Sequence, residues 1–400
     1  MSAQQNSGIT VYKNQLFLFI LAMCFWGFAT ATGDAIFNNY LNDSFRMSDL
    51  KRSLLEIPRE LPGLSVAFIS ALFFFLCSRR LAAVAMLMGA TGTLFFALTK
   101  PTYSVMLVWL FIFSMGQHLM LPLSSAIGME LAKENEAGKR LGQLNSAKNF
   151  AAIAGSTVVF LGFRYLHFKF STAFLIATGG YICASVLLFR MRPVQKTDAK
   201  AKLMIYKEYK QYYWLTILYG ARKQIFLTFA PWVLVTVFNQ PTAIIATLLT
   251  IGGVIGIFFQ PLLGMAIDKF GEKSILAAEA LILIVVCFGY GFAKEFLGPR
   301  SAFIVTAACF MIDQMLMSVS MARATWLKKI VWDPSHITPT LQMAVSLDHV
   351  FSIFAAVLGG LIWKRFGYEY VFLFAAGIAV VNLFSALRIS TFKVTQPAVS

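Results

Sequence analysis

The sequence predicts an all-α integral membrane protein of twelve transmembrane helices, arranged as two pseudo-symmetric six-helix bundles. Three observations carry that expectation. The 400 residues are 58% hydrophobic and only 13% charged, where an ordinary soluble protein carries roughly 25% charge. Apolar runs of about 18 residues or more, the length that crosses a bilayer, recur along almost the whole chain. One long polar stretch, MRPVQKTDAKAKLMIYKEYK at 191–210, divides the chain near its middle.

Taken in order, the expected spans are 14–41, 50–76, 81–99, 102–131, 140–166, 168–191, 211–238, 241–267, 274–293, 299–327, 338–363 and 368–389. The first is apolar as far as Asp34, where Asn38 and Asn39 follow. The second carries the polar insert EIPRELPG with Arg59 and Glu60. The third lies between Arg79–Arg80 and Lys100, and the fourth holds Gln117 and His118. The fifth contains Asn145, Lys148 and Asn149, whereas the sixth has almost nothing ionisable inside. The seventh is interrupted by Arg222–Lys223–Gln224. The eighth ends at Asp268, and the ninth follows Lys273. The tenth carries Asp313 and Gln314, the eleventh Asp348 and His349, and the twelfth is again nearly uncharged. The resulting domains are an N-terminal bundle at 1–191, a cytoplasmic linker at 192–210 and a C-terminal bundle at 211–400.

Charge placement predicts orientation. With the N-terminus inside, cytoplasmic segments hold 20 Lys/Arg and outer segments 10, while Arg59, Lys148, Arg222 and Lys223 fall within spans. That excess follows the positive-inside rule and puts both termini in the cytoplasm of a plasma (inner) membrane. The loop with Arg46, Lys51 and Arg52 runs against it. The net charge of +16 is spread between spans rather than gathered in a patch, so no nucleic-acid partner is expected. No short apolar segment with a small-residue cleavage site precedes the first span, so a cleaved signal peptide is not expected. The five cysteines are scattered and form no Cys-x-x-Cys or Cys/His cluster, which predicts neither disulfides nor a metal. A monomer without cofactors is expected.

The halves resemble copies of one another. A shift of 200 lays LGFRYLHF (161–168) on LIWKRFGY (361–368) and Lys148–Asn149 on Asp348–His349; a shift of 196 lays Gln117–His118 on Asp313–Gln314. Coincident polar interruptions in parallel six-helix repeats are a transporter signature.

After the eighth span comes GMAIDKFGEKSIL, with Gly264, Asp268, Gly271 and Lys273 in the spacing G-x-x-x-D-K-x-G-x-K. This loop resembles the signature cytoplasmic loop of the major facilitator superfamily in its second-half copy. The resemblance covers the whole chain and extends to the junction GGLIWKRFGYEYVFLF (359–374). It implies that those four residues form an inner-side latch. The first-half equivalent, LFFFLCSRRLAAV, keeps Arg79 and Arg80 but has neither the Asp nor the glycines, so its latch is expected to differ. The resemblance further implies that the first, fourth, seventh and tenth spans line a central cavity.

On that map the interior polar residues fall on cavity-lining or flanking spans. Lys148, Arg222 and Lys223 stand against Asp34, Asp313 and Asp348, and with either His118 or His349 protonated the balance is positive, predicting a site for a small organic anion. The expected substrate-binding set is Arg222, Lys223, Gln224, Lys148, His118, Gln117, Asp34 and Trp26, with Arg222 or Lys223 gripping the anionic group. Because adjacent helical residues point about 100° apart, the two cations cannot aim at one point, and pairing of one of them with Asp313 or Asp348 is the structural alternative. Buried carboxylates can titrate near neutral pH, so Asp313, and Asp348 with His349, are the expected proton-coupling groups. Glu279 is expected to be neutralised by Lys273.

Other function classes fit poorly. There is no phosphate-binding loop, no Gly-x-Ser-x-Gly and no paired-histidine spacing among the four histidines, so an enzyme is not expected. The alternative within transport is broad efflux of hydrophobic compounds, for which 17 methionines and 39 phenylalanines provide an adaptable lining.

Overall fold

The computed structural model describes residues 3–45, 49–99, 102–193, 205–240 and 242–390. The linker core at 194–204 and the side chains of Asn38, Arg46, Lys51 and Arg52 lie outside them. Thirteen α-helices account for the described chain: α1 (Ala3–Phe45), α2 (Asp49–Leu72), α3 (Ser78–Leu98), α4 (Tyr103–Glu130), α5 (Ala137–Tyr165), α6 (Phe170–Arg190), α7 (Lys210–Thr236), α8 (Thr242–Phe270), α9 (Glu272–Phe296), α10 (Pro299–Leu316), α11 (Ser320–Ile330), α12 (Ile337–Phe366) and α13 (Tyr368–Leu387).

Each expected span has its helix. The tenth alone is divided, because a 3₁₀ turn at Met317–Val319 separates α10 from α11. Among the described residues ten helices are long and apolar enough to cross a membrane, with Pro299–Ile330 counting as one. α2 and α7 are not among them, since both carry their own charges in mid-helix. Large apolar side chains such as Phe68, Phe258, Val285 and Phe354 are exposed, the surface a hydrocarbon solvent requires and water would penalise.

The chain gathers into two compact units. The first comprises Met1–Glu134, Gln143–Met204 and Thr338–Val345; the second comprises Asn135–Gly142, Ile205–Ile337 and Ser346–Ser400. In the first, α3 packs between α4 and α6, and α1 lies along α6, around a core of Phe19, Met23, Trp26, Met86, Leu119 and Tyr181. In the second, α9 packs on α13 and α10, with α7 against α13; Tyr290 stacks on Phe372 at 4.6 Å and Phe226 meets both rings edge-on. Gly271 breaks α8 from α9 with φ +80°, a left-handed conformation that costs any side-chain-bearing residue more than glycine.

Candidate functional site

In the first unit a polar network forms where α1, α4, α5 and α6 bring Trp26, Gln117, Lys148 and Tyr181 together. The Trp26 indole N–H donates to Gln117 Oε1 at 2.7 Å, and Gln117 Nε2 donates to Thr30 Oγ1 at 3.1 Å and to the Tyr181 hydroxyl. Thr30 and Tyr181 share a further hydroxyl contact at 3.1 Å. Lys148 Nζ sits 3.7 Å from the centroid of the Trp26 ring. α1 and α5 approach this closely because Gly27 leaves room for the Lys148 backbone carbonyl, which a Cβ there would strike. Lys148 is partly exposed, and no carboxylate among the described residues lies within ion-pair distance of its ammonium. Asp34 is exposed and lines a small cleft with Gly33, Phe37, Thr93, Phe96, Phe113 and Phe174. His118 faces two ways. Its Nδ1 lies 2.8 Å from the Ser114 carbonyl, which can only accept, so the proton belongs on Nδ1; Nε2 is 3.8 Å from Glu60.

The second unit divides the Arg222–Lys223–Gln224 triplet three ways. Arg222 is 2% exposed and its Nη2 lies 2.8 Å from Asp313 Oδ1, with Asp313 at 0%. Its Nη1 approaches the Met317 sulfur at 3.1 Å, at the break between α10 and α11. Lys223 reaches the opposite way, to Asp348 Oδ2 on α12 at 2.5 Å. Asp348 sits against Gly220, one turn before its partner, where any larger residue would collide with the carboxylate. His349 Nδ1 is 3.9 Å from the same carboxylate oxygen. Gln224 turns to its own helix and donates to Thr228 at 3.0 Å.

Both cations of the triplet therefore have a carboxylate, each on a different helix. Arg222 and Lys223 diverge for the reason anticipated from helix geometry, the 100° step between neighbours. Glu279 differs from expectation: its partner is Arg323, at 3.2 Å, and Lys273 is exposed. Six residues apart on α9, Lys273 and Glu279 lie about 240° apart around the axis, so the exposed lysine and the buried carboxylate face different ways.

At the loop after α8, the carboxylate of Asp268 accepts the N–H groups of Gly138 at 2.8 Å and Lys139 at 2.7 Å. These are first-turn amides of α5, which lack intrahelical partners and carry the positive end of the helix dipole. Gly264 and Gly138 meet backbone to backbone with no space for a Cβ on either. Replacing Asp268 by alanine removes both acceptors and is expected to cost about 1 kcal/mol, read as a lower thermal unfolding midpoint, with Asp268→Asn losing less. In the first unit the corresponding loop is built differently. Arg79 turns inward, donating to Gln15 Oε1 at 3.0 Å and the Arg192 carbonyl at 2.5 Å while pairing with Glu130, and Ser78 meets Thr338 at 3.2 Å.

Sequence reasoning missed Tyr181, Thr30, Met317 and the Glu279–Arg323 pair. Arg323 was visible as a charge near the end of the tenth span, but nothing local distinguishes a buried ion pair from a cytoplasmic flank.

Apolar helices of spanning length that carry charges at mid-length define a polytopic membrane protein. The family model of the Major Facilitator Superfamily matches residues 61–330, more than half of the chain. This chain belongs to the Major Facilitator Superfamily, a family of membrane transporters. Solved structures agree in fold. FucP, the E. coli fucose:proton symporter, in its outward conformation, superimposes with a TM-score of 0.75 at 15% identity over 94% of this chain and 98% of its own. The proton:xylose symporter XylE gives 0.73 at 16% identity over 96% and 98%. The human organic anion transporter MFSD10 gives 0.63 at 13% over 94% and 99%. No curated protein matches the sequence significantly.

Proposed function

We propose that this chain is a proton-coupled secondary active transporter that moves a small organic anion by alternating access. The observation that carries the anion is Lys148, a span-embedded cation held by the Trp26 ring with no described carboxylate in ion-pair range. An intramembrane charge is costly and is retained for function by default. An ammonium over the Trp26 ring, whose indole N–H bonds Gln117, suits a carboxylate or similar group, with His118 and Asp34 as the further residues of this reading. Within the second unit, Lys223 and Gln224, both partly exposed, are the substrate residues of this reading, and Arg222 is held by its carboxylate partner. Relatives of the same fold lend support, since FucP and XylE are proton symporters and MFSD10 carries organic anions.

Proton coupling rests on Asp313, with Asp348 and His349 as the second assignment. The carboxylate oxygens of Asp313 accept no aligned hydrogen bond from the described residues, although Arg222 lies within ion-pair distance. Such a group can exist protonated. Gly264, Asp268, Gly271 and Lys273 act in this reading as the inner-side latch.

A thermal-shift screen of metabolite anions, neutral sugars and hydrophobic cations tests the substrate class. Stabilisation by anions is expected, and stabilisation by cations or sugars alone overturns it. For coupling, Asp313→Asn mimics the protonated acid. Exchange of the stabilising anion across proteoliposome membranes should survive while pH-driven accumulation is lost; full accumulation would move the assignment to Asp348 and His349. Orientation has its own check. Single cysteines at Glu134 and Lys169, both exposed, should label from opposite faces, the first from the cytoplasm.

A further inference from the structure

Four charged side chains in the second unit form a line that the transport reading does not use in full. Arg323 donates to Glu279 Oε2 at 3.2 Å, and both are buried, at 3% and 2% exposure. The Arg323 guanidinium lies 3.9 Å from the centroid of the Tyr219 ring. Tyr219 stands one turn before Arg222 on α7, on the same face, and its hydroxyl donates to the Met317 carbonyl at 3.3 Å. Met317 is also the residue whose sulfur receives Arg222. Glu279 thus touches one guanidinium and lies within electrostatic range of both Arg222 and Asp313.

The arginines are under-committed. A guanidinium has five N–H donors, yet Nε of Arg222 and Nη2 of Arg323 make no hydrogen bond among the described residues, and Nη2 of Arg222 is engaged by Asp313 alone. Buried ion pairs are seldom retained for stability, because apolar residues of similar size serve as well or better. Two such pairs linked through one tyrosine point instead to an element with two arrangements.

We propose that Glu279 is the positioning carboxylate for Asp313: when Asp313 takes up a proton, Arg222 leaves it for Glu279, and the four side chains change partners together. This rests on the assignment of Asp313 as proton carrier. The proton binds the Asp313 carboxylate from solution, and both arginines stay cationic throughout. The other titratable groups near Asp313 are Cys287 and Tyr290 of α9 and Cys309 of α10. α8 has none before Asp268, and α13, packed along α9, carries Tyr368, Glu369 and Tyr370 at its first turn, by the far end of α9.

Infrared difference spectroscopy on the full chain in lipid nanodiscs tests this. The protonated-carboxyl band that disappears in Asp313→Asn reports Asp313, and its midpoint is followed with pH. In Glu279→Gln/Arg323→Gln, one neutral pair replaces another, so a structural pair would leave the midpoint in place. Loss of the landing site for Arg222 should instead displace it toward acid by about one pH unit, a tenfold change in proton affinity. An unmoved midpoint overturns the role of Glu279. Should that variant not fold, Glu279→Asp keeps every charge and shortens the reach, and a displacement in the same direction is expected; none overturns the proposal. If wild type shows no band that Asp313→Asn removes, the proton-carrier assignment itself falls.

Discussion

Lys148→Ala lowers affinity for an anionic substrate by more than tenfold, while Lys148→Arg keeps most of it. Truncating one partner of a desolvated, charge-assisted contact typically costs about 2–5 kcal/mol, and a tenfold change needs only about 1.4 kcal/mol. The fold should survive, because Lys148 packs on an aromatic ring and has no described carboxylate within ion-pair distance, Asp34 acting on it only at longer range, and losing a cation–π contact costs about 0.5–2 kcal/mol. Arginine keeps the charge and can still lie over Trp26, which is why it should rescue. Calorimetric titration with the anion found by thermal shift reads the effect. Equal affinity in Lys148→Ala would take the anion away from this residue.

Arg222→Ala has the opposite character: it fails in folding before it fails in binding. Its removal leaves Asp313, at 0% exposure, without its counter-ion, and breaking a buried pair from one side costs about 3–5 kcal/mol. Neutralising both partners, as Arg222→Met/Asp313→Asn, should recover yield and the thermal unfolding midpoint. Lys223→Ala should be milder, since the Lys223 side chain is 19% exposed and water can hydrate Asp348 in its place. Wild-type stability in Arg222→Ala would show that the pair bears no structural load.

The Lys148 and Arg222 expectations separate because Lys148, Arg222 and Lys223, alike as cations inside spans, have different partners. Hydropathy and length made the spans legible, along with the loop holding Gly264, Asp268, Gly271 and Lys273. These features are local. A run long enough to cross hydrocarbon must satisfy its own backbone as helix, and a turn at Gly271 needs only its own φ. The polar residues of the interior were equally legible as interruptions: Asp34, Gln117, Lys148, Arg222, Lys223, Asp313 and Asp348 all stand out from their neighbours.

What the tertiary structure decided is who meets whom. Whether Arg222 is gripped by Asp313 or left to a substrate depends on how α7 and α10 are rotated about their axes. Nothing in either segment specifies that rotation. Tyr181, on the sixth span with almost nothing ionisable inside, enters the Trp26–Gln117 network because α6 lies along α1. Glu279 takes Arg323, from α11 and 44 residues away, rather than Lys273 on its own helix. Apolar faces of many helices are interchangeable in lipid, so the pattern that places a span carries no record of its partner. Close packing at glycines such as Gly27 and Gly220, and the pairing of each charge, fix those rotations only once all the helices are assembled.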